Sequence, residues 1–191
     1  MKAALEAGRR ALVYCVQTED WDRLGDFVSA MLTSTNDPVL LGSLIPHLRS
    51  AAESSQKGQA RWRCLTFLAD ALLEVQPEAS LPLYARAATE ARTIAEAAGD
   101  GSRQAWSDLA SISGNWATAL LMNGNLDSAR LRRIDCAEAH HKAGSPAILI
   151  VGSELEALRI DLMNGRAAEA LPQVESRLAR VETWWQRHRA E

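Results

Sequence analysis

Leu121-Met122-Asn123-Gly124 is the stretch that decides the fold, because the same four residues recur at 162–165, 41 positions further along the chain. An Asn-Gly pair ends a helix well, since glycine adopts the left-handed backbone conformation without a steric penalty. In both copies an alanine follows six positions after the asparagine, at Ala129 and Ala170, and its small side chain lets the next helix cross closely. The repeat therefore predicts a helix-turn-helix unit that occurs twice.

A helix pair of this kind cannot bury its apolar face alone, so it needs a neighbouring pair and indicates a stacked helical array, an α-solenoid. The 191 residues are rich in Ala, Leu, Glu and Arg and contain no alternating β-branched runs, which also favours helices. We predict an all-α fold of about nine antiparallel helices joined by short loops. With no linker or composition shift along the chain, residues 1–191 form a single repeat domain in this prediction.

Cap and breaker residues give the expected bounds of these helices. Asp37 is the predicted N-cap of the third helix with Pro38 at its first position, and Pro46 inside that helix predicts a kink or a short interruption. Ser102 is the predicted cap of the sixth helix. The predicted spans are 2–17, 21–33, 38–54, 59–75, 78–98, 103–122, 125–143, 146–163 and 166–188.

The second helices of the pairs carry a spaced pattern of small and large residues. Ser80, Tyr84 and Ala87 are separated by four and three positions, and Ala170 and Val174 repeat the first interval. In this respect the chain resembles the tetratricopeptide repeat (TPR) family, most clearly from residue 59 onward. The resemblance is to a degenerate repeat, because the family's first-helix tryptophan, leucine and glycine are mostly absent.

One position departs from the family's pattern inside the best-matching region. After Ala129, Arg133 occupies the place where the family has a large apolar residue, while Cys136 fits the small position three residues later. Arg130, Arg132 and Arg133 together form the densest basic cluster of the chain, which we interpret as a solvated helix face.

The resemblance implies a right-handed superhelix in which the first helix of each pair lines a concave groove that binds peptides or protein segments. Asn115 occupies the position where chaperone-binding members hold a peptide backbone or C-terminal carboxylate, but the lysines and arginines that accompany it there are missing. Trp62 and Thr66 are weaker groove candidates. By repeat phase, the predicted binding residues are Asn115, Thr118, Met122, Glu156, Arg159 and Met163.

These features predict a non-catalytic scaffold for protein–protein interaction, one hypothesis being the regulatory part of a larger signalling protein. The alternative hypothesis is a helical small-molecule sensor or enzyme with a pocket inside the superhelix, which would show convergent polar groups and a strongly perturbed titratable residue. The sequence contains no G-x-S-x-G, H-E-x-x-H, P-loop or dinucleotide-binding motif. We expect neither a cofactor nor a catalytic residue.

Cysteine and histidine usage argues against metal sites and disulfides. Cys136 and His140 lie one helical turn apart, but a structural zinc site needs four ligands and no second cluster supplies the others. The three cysteines are odd in number and widely separated, which favours packed core thiols in a reducing compartment. We therefore expect a cytoplasmic protein without a metal.

The charge distribution bears on nucleic-acid and membrane partners. The formal net charge is −3, so no strong field of one sign attracts the chain to nucleic acid or to an anionic membrane surface. No apolar run reaches the ~20 residues that span a bilayer. The expected partner is a protein or peptide segment.

The last predicted helix carries a continuous apolar stripe at steps of three and four residues, with Trp184 off the stripe. Helical arrays normally end in a helix with a polar outer face, and no such helix follows. We expect the chain to be a fragment of a longer repeat protein or to self-associate through this C-terminal helix. The stripe consists of Ala167, Leu171, Val174, Leu178, Val181 and Trp185.

Overall fold

The computed structural model describes residues 2–34, 37–55, 59–98 and 103–188, and within these ranges the fold is all-α, without strands. The nine helices in the described ranges are α1 (Lys2–Gln17), α2 (Trp21–Ser34), α3 (Pro38–Ser54), α4 (Gln59–Leu73), α5 (Pro77–Ala97), α6 (Arg103–Met122), α7 (Leu126–Ala143), α8 (Ala147–Met163) and α9 (Ala167–His188). The predicted helices are confirmed with bounds that differ by at most two residues.

The start of α3 shows why the cap residues locate helices well. The Asp37 carboxylate accepts a hydrogen bond from the amide of Val39 at 2.9 Å, and Pro38 fixes the first helical φ angle. The helix then continues through Pro46, so the predicted interruption does not occur. Ser102, the predicted cap of α6, lies outside the described residues.

Contacts between Cα atoms divide the chain into two compact units, Met1–Ala91 and Arg92–Glu191, with the boundary inside α5. In the first unit α1 packs against α2 and α3, and α4 packs against α2 and α3. In the second unit α6 packs against α7, α7 against α8 and α8 against α9. Packing of consecutive helices in this way is consistent with a helical array, while one repeat domain over 1–191 stays a prediction.

Tyr84 is the largest fully buried side chain of the first unit and anchors the start of α5. Its hydroxyl donates a hydrogen bond to Asp70 of α4 at 2.6 Å. Burial and the neighbouring carboxylate raise the pKa of Tyr84 far above its usual range, so the phenol stays protonated. Ser80 and Ala87, the small residues on either side of Tyr84 in the repeat pattern, are also fully buried.

The two Asn-Gly turns of the second unit have the same backbone geometry. Gly124 and Gly165 have φ angles of 71° and 78°, in the left-handed region where a Cβ atom would cause strain. Each glycine amide donates to the carbonyl three residues earlier, at 3.0 and 3.1 Å, and the next amide donates to the carbonyl five residues earlier, at 2.9 and 2.8 Å. These bonds define a Schellman motif in both turns, as the repeated sequence predicts.

The alanines that follow the two turns pack as expected. Ala129 is fully buried and Ala170 is 1% exposed, so each lies in the contact between its own helix and the preceding one. Other small residues of α6 and α7 are also buried, among them Ala110, Ala117 and Ala139. Small side chains allow the two helix axes to approach closely and bury both backbones from water.

A charged network joins the second turn to the beginning of α7. Asp161, only 4% exposed, accepts hydrogen bonds of 2.7 Å from Arg130 and Arg166. Arg166 also reaches Asp127 in the first turn of α7 at 3.1 Å, and Asn164 donates to the same Asp127 oxygen at 2.9 Å. The network holds the α8–α9 turn against α7 and so connects the two helix pairs.

The packed face of α9 includes only part of the predicted stripe, because Val174 and Val181 are half-buried while the other stripe residues are exposed. Ala170 is 1% exposed, and Trp184 is half-buried and lines a cleft with residues of α8. Leu171, Leu178 and Trp185, which belong to the stripe, are 52%, 52% and 58% exposed. We call these three residues the outer row of α9, and it leaves large apolar side chains on the surface of the second unit.

The remaining structural expectations concern thiols and membranes. Cys15, Cys64 and Cys136 are buried and unpaired, as predicted for core thiols. None of the helices in the described ranges combines the length and the apolar composition that crossing a membrane requires.

The Asp161 network makes stability depend on pH. Burial alone would raise the pKa of Asp161, but hydrogen bonds and positive charge from Arg130 and Arg166 outweigh it, so the pKa lies below the ordinary value of 3.8. Because the pKa is lowered in the folded state, the ionised carboxylate stabilises the fold above about pH 4 and this contribution is lost as pH falls through the folded-state pKa.

We therefore expect Asp161→Asn to lower the midpoint of thermal unfolding by about 3–12 °C at neutral pH, since charged hydrogen bonds contribute ~1.5–3 kcal/mol. The difference from wild type should shrink below about pH 4. Circular dichroism melts between neutral and acidic pH measure this, with Glu169→Gln on the surface of α9 as the control. Equal melts for the wild type and Asp161→Asn at pH 7 would contradict the role of the network.

Candidate protein-binding surface

The predicted binding residues of α6 lie on its solvent side. Asn115 is exposed and Met122 is 52% exposed, seven residues apart on one helical face. Thr118, between them, is half-buried: its hydroxyl donates to the Gly114 carbonyl at 3.2 Å and accepts a hydrogen bond from Arg133 of α7 at 3.1 Å. Thr118 therefore marks the inner edge of this face.

The predicted residues of α8 form one connected group. Arg159 donates two hydrogen bonds to Glu156, at 2.8 and 3.1 Å, and a further guanidinium nitrogen lies 3.5 Å from the sulfur of Met163. The pairing fixes the Arg159 side chain along the helix and leaves Met163 55% exposed. In this group, Glu156 holds the charged side chain of Arg159 next to the flexible apolar side chain of Met163.

The solvent face of α8 is unusually apolar for an exposed helix. Its exposed large side chains are Ile148 at 39%, Leu149 at 48%, Leu162 at 37% and Met163 at 55%. The four side chains form two pairs, one near the beginning and one at the end of the helix, and exposed apolar side chains with polar neighbours are typical of surfaces that bind other proteins. Leu149 and Met163 flank Glu156 at seven-residue spacing, so all three lie along one edge of the helix.

Two residues of α7 lie between α6 and α8. The Cys136 sulfur is 3.3 Å from the hydroxyl of Ser153 in α8, and it would lie 3.6 Å from a Cβ atom at Gly114 in α6. The absence of a side chain at Gly114 also lets the Arg133 guanidinium lie against α6, 3.4 Å from the same position. The three helices thus meet at Gly114, Arg133, Cys136 and Ser153.

We define the α6–α8 surface as Asn115, Thr118, Met122, Glu156, Arg159 and Met163 together with Leu149 and Arg133. The structure brings Glu156, Arg159 and Met163 into contact with one another and connects Thr118 to Arg133. The role of these residues in binding stays a prediction.

The binding site predicted from the sequence did not include Arg133. Within the described part of the chain, no carboxylate forms an ion pair with its guanidinium, and its buried Nε has no hydrogen-bond partner. By contrast, Arg130 pairs with Asp161, and Arg132 pairs with Asp135 at 2.8 Å. A half-buried guanidinium without a carboxylate is electrostatically poised to receive an anionic group.

Two features of the sequence set Arg133 apart. It occupies a position where the repeat pattern expects an apolar residue, and Gly114 lies one helix earlier. The basic cluster of which it forms part separates in the structure, because Arg132 also stacks on Trp116, with its guanidinium carbon 4.6 Å from the ring centroid. The three arginines therefore have three different environments and do not act as one face.

Cys136 and His140, the two residues with the spacing of metal ligands, lie next to serine hydroxyls. Burial raises the pKa of the Cys136 thiol, which contacts Ser153, and burial lowers the pKa of His140, whose Nδ1 lies 3.0 Å from the Ser145 hydroxyl. Among the side chains that the structure describes, no group of three His, Cys, Asp or Glu residues is arranged to hold a metal ion.

The two weaker groove candidates are core residues. Trp62 is 6% exposed and Thr66 is 9% exposed, with the Thr66 hydroxyl donating to the Trp62 carbonyl at 2.8 Å. The prediction that they line a binding groove is wrong, because both side chains are buried.

Comparisons with known proteins add no relatives to this description: no protein-family model, no curated protein and no solved structure matches the chain.

If Arg133 serves binding rather than folding, replacing it with an apolar residue should not destabilise the protein. We expect Arg133→Met to leave the unfolding free energy unchanged or to raise it by up to about 1 kcal/mol, because a poorly satisfied half-buried charge is removed. Arg130→Met, the matched variant three residues earlier, should lower it by about 1.5–3 kcal/mol by leaving the Asp161 network incomplete. Urea denaturation measures both, and a larger loss for Arg133→Met than for Arg130→Met would assign Arg133 a structural role.

Proposed function

We propose that this protein is a non-catalytic scaffold of TPR-like helical pairs that binds a segment of a partner protein across the α6–α8 surface. The observation that carries the proposal is the combination of exposed apolar side chains on α8 with the Arg133 guanidinium, which bonds to Thr118 and has no carboxylate partner among the described residues. Apolar residues provide contact area and a few polar groups orient the ligand in most peptide-binding surfaces. The bound segment carries large apolar side chains and an acidic group that pairs with Arg133.

Three structural features support the TPR-like helical pairs of this proposal, and the right-handed superhelix is proposed with them. The two Asn-Gly turns share one hydrogen-bond pattern, and the alanines after them are buried. In α5, the residues at the positions of the repeat pattern, Ser80, Tyr84 and Ala87, are all fully buried. These positions are the ones that a helical repeat uses to pack one helix of a pair against the other.

The titratable groups favour a scaffold over a sensor or enzyme. The pKa of Cys64 is raised to about 11 by burial, and the pKa of Tyr84 is also raised, but both side chains lie in packing contacts of the first unit. Groups prepared for acid–base chemistry would instead converge on a cleft with partners for a substrate. Three buried, unpaired thiols are also compatible with the proposed cytoplasmic location.

Selection from a phage-displayed library of random peptides tests the binding function directly. We expect the wild-type chain to select peptides with apolar residues and at least one acidic residue. Fluorescence polarisation with the selected peptides should show at least about tenfold weaker binding to Leu149→Glu and to Arg133→Met, equivalent to ~1.4 kcal/mol.

The matched control is Leu131→Glu. Leu131 is 52% exposed on α7, two residues before Arg133 and on the opposite side of that helix, so the same substitution there should leave peptide affinity unchanged. Peptides that bind equally well to all variants, or that lose affinity only for Leu131→Glu, would place the binding surface elsewhere. Failure to select any peptide would contradict the scaffold proposal.

The outer row of α9 supports self-association as a second mode of interaction. Leu171, Leu178 and Trp185 recur every seven residues and are each more than half exposed, which is the spacing of a helix that pairs with another helix. We propose that two copies of the chain associate through this row. Trp184 is a poor probe of this contact because it is half-buried and lines a cleft with residues of α8, outside the outer row.

We expect the wild-type chain to form a dimer and Leu178→Glu to be a folded monomer, because a carboxylate in the centre of the row cannot be buried without a partner. Size-exclusion chromatography with light scattering gives the mass, and circular dichroism verifies the fold. Leu131→Glu, with an equally exposed leucine changed on another helix, should remain dimeric. A monomeric wild type at concentrations of ~100 μM would refute the proposal.

A further inference from the structure

A cleft lies between the beginning of α8 and the end of α9, separate from Arg133 and α6. Its volume is about 410 Å³, which falls within the range of small-molecule sites, ~300–1,000 Å³. Ile148 and Val151 form the α8 wall, and Val181 and Trp184 form the α9 wall. The walls are therefore mainly apolar and include one large aromatic ring.

The charged residues among the described lining of this cleft are two arginines, Arg180 and Arg187. Arg180 donates to Glu154 at 2.8 Å, and Glu154 also accepts a hydrogen bond from Arg177 at 3.2 Å, so one carboxylate is shared by two guanidinium groups. Arg187 forms neither a hydrogen bond nor an ion pair with any residue that the structure describes.

The beginning of α8 adds to the positive potential. The helix starts at Ala147, which also lines the cleft, and its N-cap residue Pro146 provides no side-chain hydrogen bond to the first-turn amides. The positive end of the helix dipole thus lies on the same wall as the apolar residues. An apolar cleft with this charge is complementary to an anion that carries a compact apolar group.

We propose that the α8–α9 cleft binds a small amphiphilic anion, an aromatic or branched aliphatic carboxylate whose apolar group lies against Trp184 and whose charge pairs with Arg187. Val151, 2% exposed, closes the floor, and Ile148, 39% exposed, flanks the entrance. The site is independent of peptide binding at Arg133.

A pair of fluorescent probes that differ in charge tests the proposal. Anilinonaphthalene sulfonate carries an aromatic group and an anion, and N-phenylnaphthylamine has nearly the same aromatic group without the charge. We expect the wild-type chain to bind one equivalent of the sulfonate, and naphthoate, but not naphthalene methanol, to displace it. Arg187→Gln should weaken sulfonate binding by about threefold to tenfold and leave the neutral probe unaffected.

Two further variants separate the cleft from other apolar surface. Ile148→Trp, which fills the entrance, should abolish binding of the sulfonate while circular dichroism confirms an intact fold. Arg103→Gln removes an exposed arginine at the beginning of α6 and should have no effect. Equal affinity of wild type, Arg187→Gln and Ile148→Trp for the sulfonate would overturn the proposal, as would an equal loss in Arg103→Gln and Arg187→Gln.

Discussion

The arrangement of the second unit depends on one buried carboxylate. Asp161 receives hydrogen bonds from Arg130 and Arg166, which come from different helix pairs, and Arg166 continues to Asp127 at the beginning of α7. Apolar packing alone would allow neighbouring helix pairs to slide or rotate, because it has no preferred direction. Charged hydrogen bonds of fixed geometry remove that freedom, and the repeated turn places them where α7 and α8 meet. The candidate surface on α6 and α8 inherits its geometry from this contact.

Arg133 differs from the two other arginines of its cluster in having no partner that gives it a clear structural role among the described residues. Arg130 completes the buried network and Arg132 is held by Asp135 and Trp116, so both contribute to the fold. Arg133 has a hydrogen bond to Thr118 and space provided by Gly114, but no carboxylate among the described residues. A residue that fits its surroundings poorly while its neighbours fit well is a reasonable candidate for binding, since functional sites commonly sacrifice stability.

The last helix shows how an amphipathic pattern can mislead about orientation. The predicted stripe was the most regular one in the sequence, yet only Val174 and Val181 of it are half-buried, on the side that carries Ala170 and Trp184. Leu171, Leu178 and Trp185, which belong to the same stripe, are exposed. Packing there buries a small residue close to α8 and lets Arg177 and Arg180 reach Glu154. The result is an exposed apolar row on one side of the helix and a positively charged cleft on the other. We propose that both surfaces bind partners.

The sequence by itself determined the helices and their turns, because caps, Asn-Gly stops and helix propensity act between residues only a few positions apart. Asp37, Gly124 and Gly165 therefore have the predicted roles, and the three cysteines are buried as expected. It also located the exposed faces of Asn115 and Met163. Only the tertiary structure decided that Trp62 and Thr66 are core residues, that Arg133 has no carboxylate partner in the described part of the chain, and which face of α9 is packed. Those outcomes depend on which helix lies opposite each side chain, and that is set by contacts between residues distant in the sequence.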